Sequence, residues 1–314
     1  MNDYLVVSSE KQKEILLFFK SKLGLTWRKL AKVLGINKSM IYFYLSGSSK
    51  IPFVHILKLC EVSGVSLNTF QDLPHSKVKH CGPNTFLVPD TNSEKFAEFI
   101  GILLGDGCIY SNKESICVTG DKLLDREYFE RHLNKLISEL FSVDYYNYLC
   151  KKSRGIHCVI NSKSLVEFLC PAFFVAGDKI KAGAKIPENF FLKKNLLKAC
   201  LRGLFDTDGS VCPHPNSKVM LIITIKNPVL MGSALKAFDK IGILAKQSKG
   251  DIYFYGATKV KRFFDEVGSS NPKHLIKWGI FLRSGIMPKT KELEELIFLR
   301  GVGPPGFEPG TPTL

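Results

Sequence analysis

Apolar residues recur at helical spacing over Glu10–Leu23, with Ile15, Leu16, Phe18 and Phe19 on the pattern, and Gly24 ends the run. Thr26 is placed to cap a second helix, W-R-K-L-A-K-V-L, and Gly35 to make a tight turn. Asn37 is placed to cap a third helix, K-S-M-I-Y-F-Y-L, closed at Ser46-Gly47; Pro52 opens a fourth and Ser66 a short fifth. Residues 71–93 lose this periodicity and collect Pro74, Gly82, Pro83 and Pro89, which predicts a linker with a short extended piece at Thr85–Val88.

From residue 94 one order of elements runs twice. The first pass is a helix (94–105), a strand near Ser115–Thr119, a helix Leu123–Phe141, strands Tyr145–Cys150 and Gly155–Ile160, and a helix Ser164–Leu169. The second is a helix (195–207), a strand Val219–Lys226, a helix Val229–Ile241, strands near Ile243–Gln247 and Asp251–Tyr255, and a helix Thr258–Val267. Self-similar segments at matching places mark a duplication, S-I-C-V-T-G against M-L-I-I-T-I-K among them. One strand after each leading helix stays uncertain. Cys108–Lys113 is short, and Pro213 and Pro215 are expected to interrupt any strand in Val211–Ser217.

The leading helices carry the strongest signal. Phe99–Gly107 reads F-I-G-I-L-L-G-D-G and Leu201–Gly209 reads L-R-G-L-F-D-T-D-G. Small residues stand four apart in each, Gly101 with Gly105 and Gly203 with Thr207, and so share one helix face. Two such faces can pack with their backbones close, and Asp106 and Asp208 then emerge side by side at one end. Paired carboxylates on such an axis suit metal-assisted phosphodiester hydrolysis, with Mg²⁺ (or Mn²⁺) held by oxygen ligands. Asp206 has Leu104 as its counterpart, so it is expected on the helix surface or in a structural role.

These residues closely resemble the signature of the LAGLIDADG homing endonucleases, in their two-motif monomeric form. The second copy departs from the signature at Arg202, Phe205 and Thr207, and the first has Leu104 where the signature has its first acid. The resemblance covers about residues 94–290. It implies an α+β fold: a pseudo-two-fold pair of αββαββα repeats with a DNA-facing antiparallel saddle. It also implies that Asp106 and Asp208 bind the metals, helped by the backbone carbonyls of Gly105 and Thr207. A basic residue near each metal is implied too, with Lys179 or Lys185 and Lys273 as the candidates. The stretch from Thr26 to Gly47 is similar to the Cro/C1 repressor type of helix-turn-helix, which makes Lys38, Ser39 and Tyr42 the exposed start of a recognition helix. The expected domains are residues 1–72 (helix-turn-helix), 73–93 (linker), 94–192 and 193–298 (the two repeats), and 299–314 (a disordered tail).

Charge agrees with a nucleic-acid partner. Lys and Arg number 44 against 29 Asp and Glu, for a net +15, and such a surplus drives binding to phosphate with counterion release. Lys151, Lys152 and Arg154 in one hairpin, Lys246 and Lys249 in the other, and Lys226 at a strand end are candidate DNA contacts. The nine cysteines form no C-x-x-C pair, and the amino terminus has no basic start followed by a long apolar run. Both point to a cytoplasmic, nucleoid-associated protein without a signal peptide. Apolar runs such as Ile100–Leu104 are too short to span a bilayer. The reading is therefore a monomeric, site-specific double-stranded DNA endonuclease with a long asymmetric target. A non-catalytic DNA-binding regulator and an RNA intron maturase are the alternatives, and the absence of a terminal His-Asn disfavours an intein. Gly306–Pro309 can be encoded by codons resembling a transfer-RNA gene, as expected of a mobile element inserted there.

Overall fold

A computed structural model describes residues 2–5, 7, 9–65, 75–78 and 86–299. The helix expected from Ser66, the linker through residue 85 apart from 75–78, and the tail from residue 300 lie outside the described residues. The chain divides into two compact units. The first holds the residues up to Pro89 with Phe141–Val143, and the second holds the remainder.

The first unit is mainly helical: α1 (Ser9–Leu23), α2 (Trp27–Leu34), α3 (Lys38–Ser46) and α4 (Phe53–Ser63), with strand β1 (Asn2–Leu5) antiparallel to β2 (His75–Val78). Leu16, Phe19, Leu30, Ile41, Ile56 and Leu59 form its core. Thr26 caps α2 by accepting from the Lys29 N–H, and Gly35, at φ +72°, closes it in the left-handed conformation that glycine adopts without penalty. Asn37 stands at the N-cap of α3 but makes no side-chain cap bond. Buried Gln12 donates to Tyr44 O (2.6 Å) and Ser49 O (2.7 Å), tying α1 to the end of α3.

The second unit is α+β and built of two like halves. The first motif helix (Glu94–Leu104) leads into β3 (Gly107–Ile109), β4 (Ser115–Asp121), β5 (Tyr146–Leu149) and β6 (Gly155–Asn161). The second (Lys194–Asp208) leads into β7 (Gly209–His214), β8 (Lys218–Thr224), β9 (Lys246–Ser248) and β10 (Asp251–Tyr255). Their antiparallel sheets run β3-β4-β6-β5 and β7-β8-β10-β9, the same order in each half. Helices follow at equivalent places, including Lys163–Leu169 in the first half and Pro228–Ile241 and Ala257–Glu266 in the second.

Three expectations are corrected. The strand after the second motif runs through Pro213, which pairs opposite Val219, and ends at His214, just before Pro215. β7 is an edge strand, where a missing N–H costs no ladder bond. The helix expected from Leu123 begins only at Arg126, because Asp121 Oδ1 accepts from the N–H groups of Leu123 (2.8 Å) and Leu124 (3.1 Å) and holds them in a turn. It opens with a π-helical stretch, Tyr128–Leu133, before Asn134–Phe141. The strand expected from Ile243 starts at Lys246. Ile243 instead finishes the preceding helix, donating its N–H to Phe238 O (2.9 Å) behind Gly242 at φ +83°.

Candidate active site at the shared helix tip

The two motif helices pack backbone to backbone. A Cβ on Gly101 would lie 2.0 Å from Cys200 O, and one on Gly203 would lie 2.2 Å from Glu98 O. Closer to the tip, a Cβ on Gly105 would lie 1.9 Å from Thr207 Oγ1 and 3.3 Å from Asp208 Cγ. The departures from the signature have structural reasons. Arg202 Nη2 pairs with Glu98 of the first motif helix at 2.8 Å. Phe205 fills the core against Phe263 (centroids 4.8 Å) and His274 (4.5 Å). The Thr207 hydroxyl donates back to Gly203 O (3.1 Å) and Leu204 O (3.0 Å).

This packing brings Asp106 and Asp208 into one charged cluster. Desolvation, then the negative charge of Asp106, pushes Asp208 up to about 7, against the opposing pull of Lys179 and Lys273. Asp106 is itself held above the usual carboxylate range, by desolvation and then by the charge of Asp125. A divalent cation would relieve this repulsion. The carboxylates of Asp106 and Asp208 and the Gly105 carbonyl are oxygen donors of the kind that Mg²⁺ or Mn²⁺ takes, with the Gly105 carbonyl held by the Lys179 ammonium. No group of three or more His, Cys, Asp or Glu suited to a metal occurs among the described residues, so further ligands would come from solvent and a substrate phosphate.

Lys179 reaches this tip. Its ammonium donates to Gly105 O, to Leu104 O (3.2 Å) and to Leu103 O (3.4 Å), the last carbonyls of the first motif helix, where a cation is favoured. Desolvation lowers its pKa, while Asp208 and Asp106 oppose the change. Lys185, the alternative, is half exposed and pairs with exposed Glu188 at 2.7 Å. Lys273 pairs with buried Asp125 at 2.6 Å and acts electrostatically on both tip acids. An open hollow of about 310 Å³ beside Asp208 and Lys179 is also lined by Thr224 and Lys226.

Beneath the tip lies a buried polar network. Asp206 is 1% exposed, a structural residue and not a surface one. It accepts from the Ser269 hydroxyl, from Ser270 N (2.9 Å) and from Asn271 N (3.3 Å). Burial nonetheless pushes Asp206 up to about 7. Glu98 behaves oppositely. Burial would raise it, but bonds from His132 (2.7 Å), Arg202 and Ser270 (2.7 Å) outweigh that and hold it at about 2. Asp206→Asn replaces one of the two accepting oxygens with an NH₂ that opposes its donors, and it is expected to lower unfolding free energy by about 1–3 kcal/mol in urea melts. An unchanged midpoint would show that these bonds carry no stability.

The sequence reading did not find Asp125, Asn271 or Lys277. Asp125 and Asn271 belong to no motif; only the i, i+4 spacing of Lys273 and Lys277 in K-H-L-I-K could have pointed to Lys277. Desolvation, then Lys273, lowers the pKa of Lys277.

The proposed DNA contacts fall in several places. Lys38, Ser39 and Tyr42 stand exposed on α3, with the Lys38 ammonium 5.6 Å from the Tyr42 ring centre. Lys151, Lys152, Lys226, Lys246 and Lys249 are exposed. Arg154 is exposed too but is paired with Asp121 (2.8 Å) and Glu294 (2.7 Å). Each sheet also presents an aromatic pair that the sequence reading left out. Tyr148 stacks on His157 at 4.7 Å, and Tyr253 on Tyr255 at 5.5 Å with Lys246 over it.

Comparison with known proteins finds two families. A helix-turn-helix model matches residues 18–70, and a LAGLIDADG-like domain model matches residues 195–268. Among curated proteins, the replication factor C small subunit of Methanocaldococcus jannaschii is 26% identical over 198 residues, 59% of this chain and 10% of that protein. An A-type ATP synthase subunit of Pyrococcus abyssi is 28% identical over 172 residues, 54% of this chain and 16% of that protein. The DNA polymerase of Thermococcus hydrothermalis is 31% identical over 153 residues, 48% of this chain and 9% of that protein. The chain thus spans less than a fifth of the length of each of these relatives. Similar solved structures include the N-terminal LAGLIDADG domain of DUF199/WhiA (18% identity, 56% of this chain and 81% of that one, TM-score 0.40). The homing endonuclease I-DmoI with DNA and Mn is another (16% identity, 56% and 96%, TM-score 0.38).

Proposed function

From a chain that carries a helix-turn-helix domain and a LAGLIDADG-like domain, we propose a site-specific double-stranded DNA endonuclease of the homing type. The observation that supports it best is the tip itself, where two carboxylates share one helix end with Lys179 and Lys273 beside them. Asp106 and Asp208, with the carbonyls of Gly105 and Thr207, would hold Mg²⁺ or Mn²⁺. When bound, such ions activate water and neutralise charge at phosphorus. Lys179 and Lys273 place positive charge where a phosphate would arrive. The Thr224–Lys226 stretch, the hairpin lysines and the two aromatic pairs would lie along the duplex.

Matches to small parts of three proteins with unrelated names support a module that is not tied to one host. Two unequal halves in one chain imply a monomer on a long asymmetric site, with the helix-turn-helix adding contacts. Footprinting and sedimentation on the uninterrupted form of the gene's own insertion locus test this. One copy per duplex and an asymmetric footprint are expected; two copies on a palindrome would overturn it. Lys38→Ala is expected to lower the slope of log affinity against log salt by about 1. A non-cutting regulator is the second reading. It is favoured by the Lys179 ammonium, which already occupies the carbonyl of Gly105 that a metal would use.

A further inference from the structure

The two lysine segments are each held by the opposite half of the unit. In the second half, Asn227 follows β8 and caps helix Pro228–Ile241 through the N–H groups of Val229 (3.0 Å) and Leu230 (3.3 Å). Its side-chain amide turns the other way and donates to Lys179 O (3.2 Å) and Ala184 O (2.8 Å) of the first half. In the first half, Asp125 follows β4. It accepts from Asp121 N (2.9 Å) and from the Asn271 side-chain amide (2.8 Å), and its carboxylate pairs with the Lys273 ammonium of the second half. Both side chains are buried, Asn227 5% and Asp125 6% exposed. Each sits just after the second strand of its half and reaches the basic segment of the other half.

The two clasps are alike in place and different in chemistry. A neutral amide holds Lys179 by its backbone, which leaves the ammonium to reach Gly105 O. A carboxylate holds Lys273 by the ammonium itself. A buried, hydrogen-bonded ion pair must loosen before that ammonium can meet a phosphate. Neither residue lies in a motif, and Asn227 lines the same hollow as Thr224, Lys226 and Lys179.

We infer that Asp125 and Asn227 are positioning residues, one for Lys273 and the other for Lys179. Their difference in charge makes the two lysines unequal partners for an incoming phosphate. The inference rests on the endonuclease reading for its consequence, unequal dependence of the two strand cuts on the two clasps, but not for the positioning itself.

Two measurements on the full-length protein separate these. The first is ¹⁵N NMR of the lysine ammonium groups, with the Lys273 signal assigned by its loss in Lys273→Arg. A sharp, exchange-protected Lys273 signal is expected in the wild type. It should vanish in Asp125→Asn and persist in Asp265→Asn, which breaks only the exposed Lys261 pair (2.7 Å). A Lys273 signal unchanged by Asp125→Asn overturns the positioning role. The second is cutting of a duplex labelled separately on each strand. Asp125→Asn should change the rate of one strand, and Asn227→Ser, which keeps the helix cap, that of the other. Each change should be about ten- to a hundredfold, the scale of misplacing a reacting group by about 1 Å. Equal changes on both strands overturn the inequality. A wild type that cuts neither strand defeats the endonuclease reading and the strand consequence together, while the NMR result still decides the positioning of Lys273 by Asp125.

Discussion

Asp208→Asn and Asp106→Asn each lower double-strand cutting by about a thousandfold or more and leave DNA affinity unchanged or slightly tighter. The size follows from several kcal/mol of charge stabilisation lost with a metal-holding carboxylate, at about 1.4 kcal/mol per tenfold. The asymmetry between cutting and binding follows from the electrostatics of the tip. Desolvation holds both acids above the usual carboxylate range, helped by the charge of Asp106 at Asp208 and by that of Asp125 at Asp106, so removing a tip charge relieves repulsion in the free protein. It also removes a negative charge from the path of a phosphate. A variant that cuts normally would place the chemistry elsewhere. A variant that loses cutting and binding together would make the aspartates structural. Radiolabelled cutting and filter binding on the same preparation separate the three cases.

Gly101→Ala and Gly203→Ala have the next largest expected effect. Each new Cβ would sit within about 2 Å of a backbone carbonyl on the partner helix, Cys200 O or Glu98 O. A carbonyl inside a helix cannot swing aside as a flexible side chain can, so the helices must separate. Each variant is expected to lose about 3 kcal/mol or more, at or above the upper end for overpacking. Helix propensity works in the opposite direction, since alanine favours a helix over glycine by about 1 kcal/mol. Gly232 supplies the control. It lies within helix Pro228–Ile241 with nothing within 4 Å of an added Cβ, so Gly232→Ala is expected to stabilise by about 0.5–1 kcal/mol. Denaturant melts of the three variants test the packing without reference to activity. Equal, small effects at all three positions would mean that the glycines of the motif do not set the helix approach.

The acids also set a pH dependence. Asp208 holds its proton up to about pH 7, so a divalent ion must displace that proton below this value. Metal affinity should therefore rise as pH increases from 6 to 8 and level off above, with the ion itself lowering the apparent midpoint. Calorimetric titration with Mn²⁺ at three pH values checks this, and a flat affinity would show that Asp208 is already ionised at pH 6.

Much of this arrangement was legible in the sequence because it depends on spacing. Gly101 shares a helix face with Gly105, and Gly203 with Thr207, because residues four apart do so, and those faces meet the partner helix; the strand order repeats because the segments themselves repeat. Pro213 misled, since a proline reads as a break until its strand is known to lie at an edge. For Asp206 a structural role was one of two expectations, and what decided between them was out of reach. What makes it structural is segment 269–271, far along the chain, whose N–H groups only the folded unit brings to it. Asp125 and Asn227 were equally out of reach, because their partners belong to the opposite half. Arg154 looked like an open phosphate contact in its hairpin, yet Asp121 and Glu294 occupy it.

The central claim is that the paired aspartates at the shared helix tip cut DNA. A supercoiled plasmid carrying the uninterrupted insertion locus, incubated with the protein and Mg²⁺, tests it most directly. Linear plasmid with ends at one site, absent with chelator and absent with the Asp106→Asn/Asp208→Asn double variant, is the expected result. Plasmid that stays supercoiled while the protein binds the locus tightly would contradict it and identify a DNA-binding regulator.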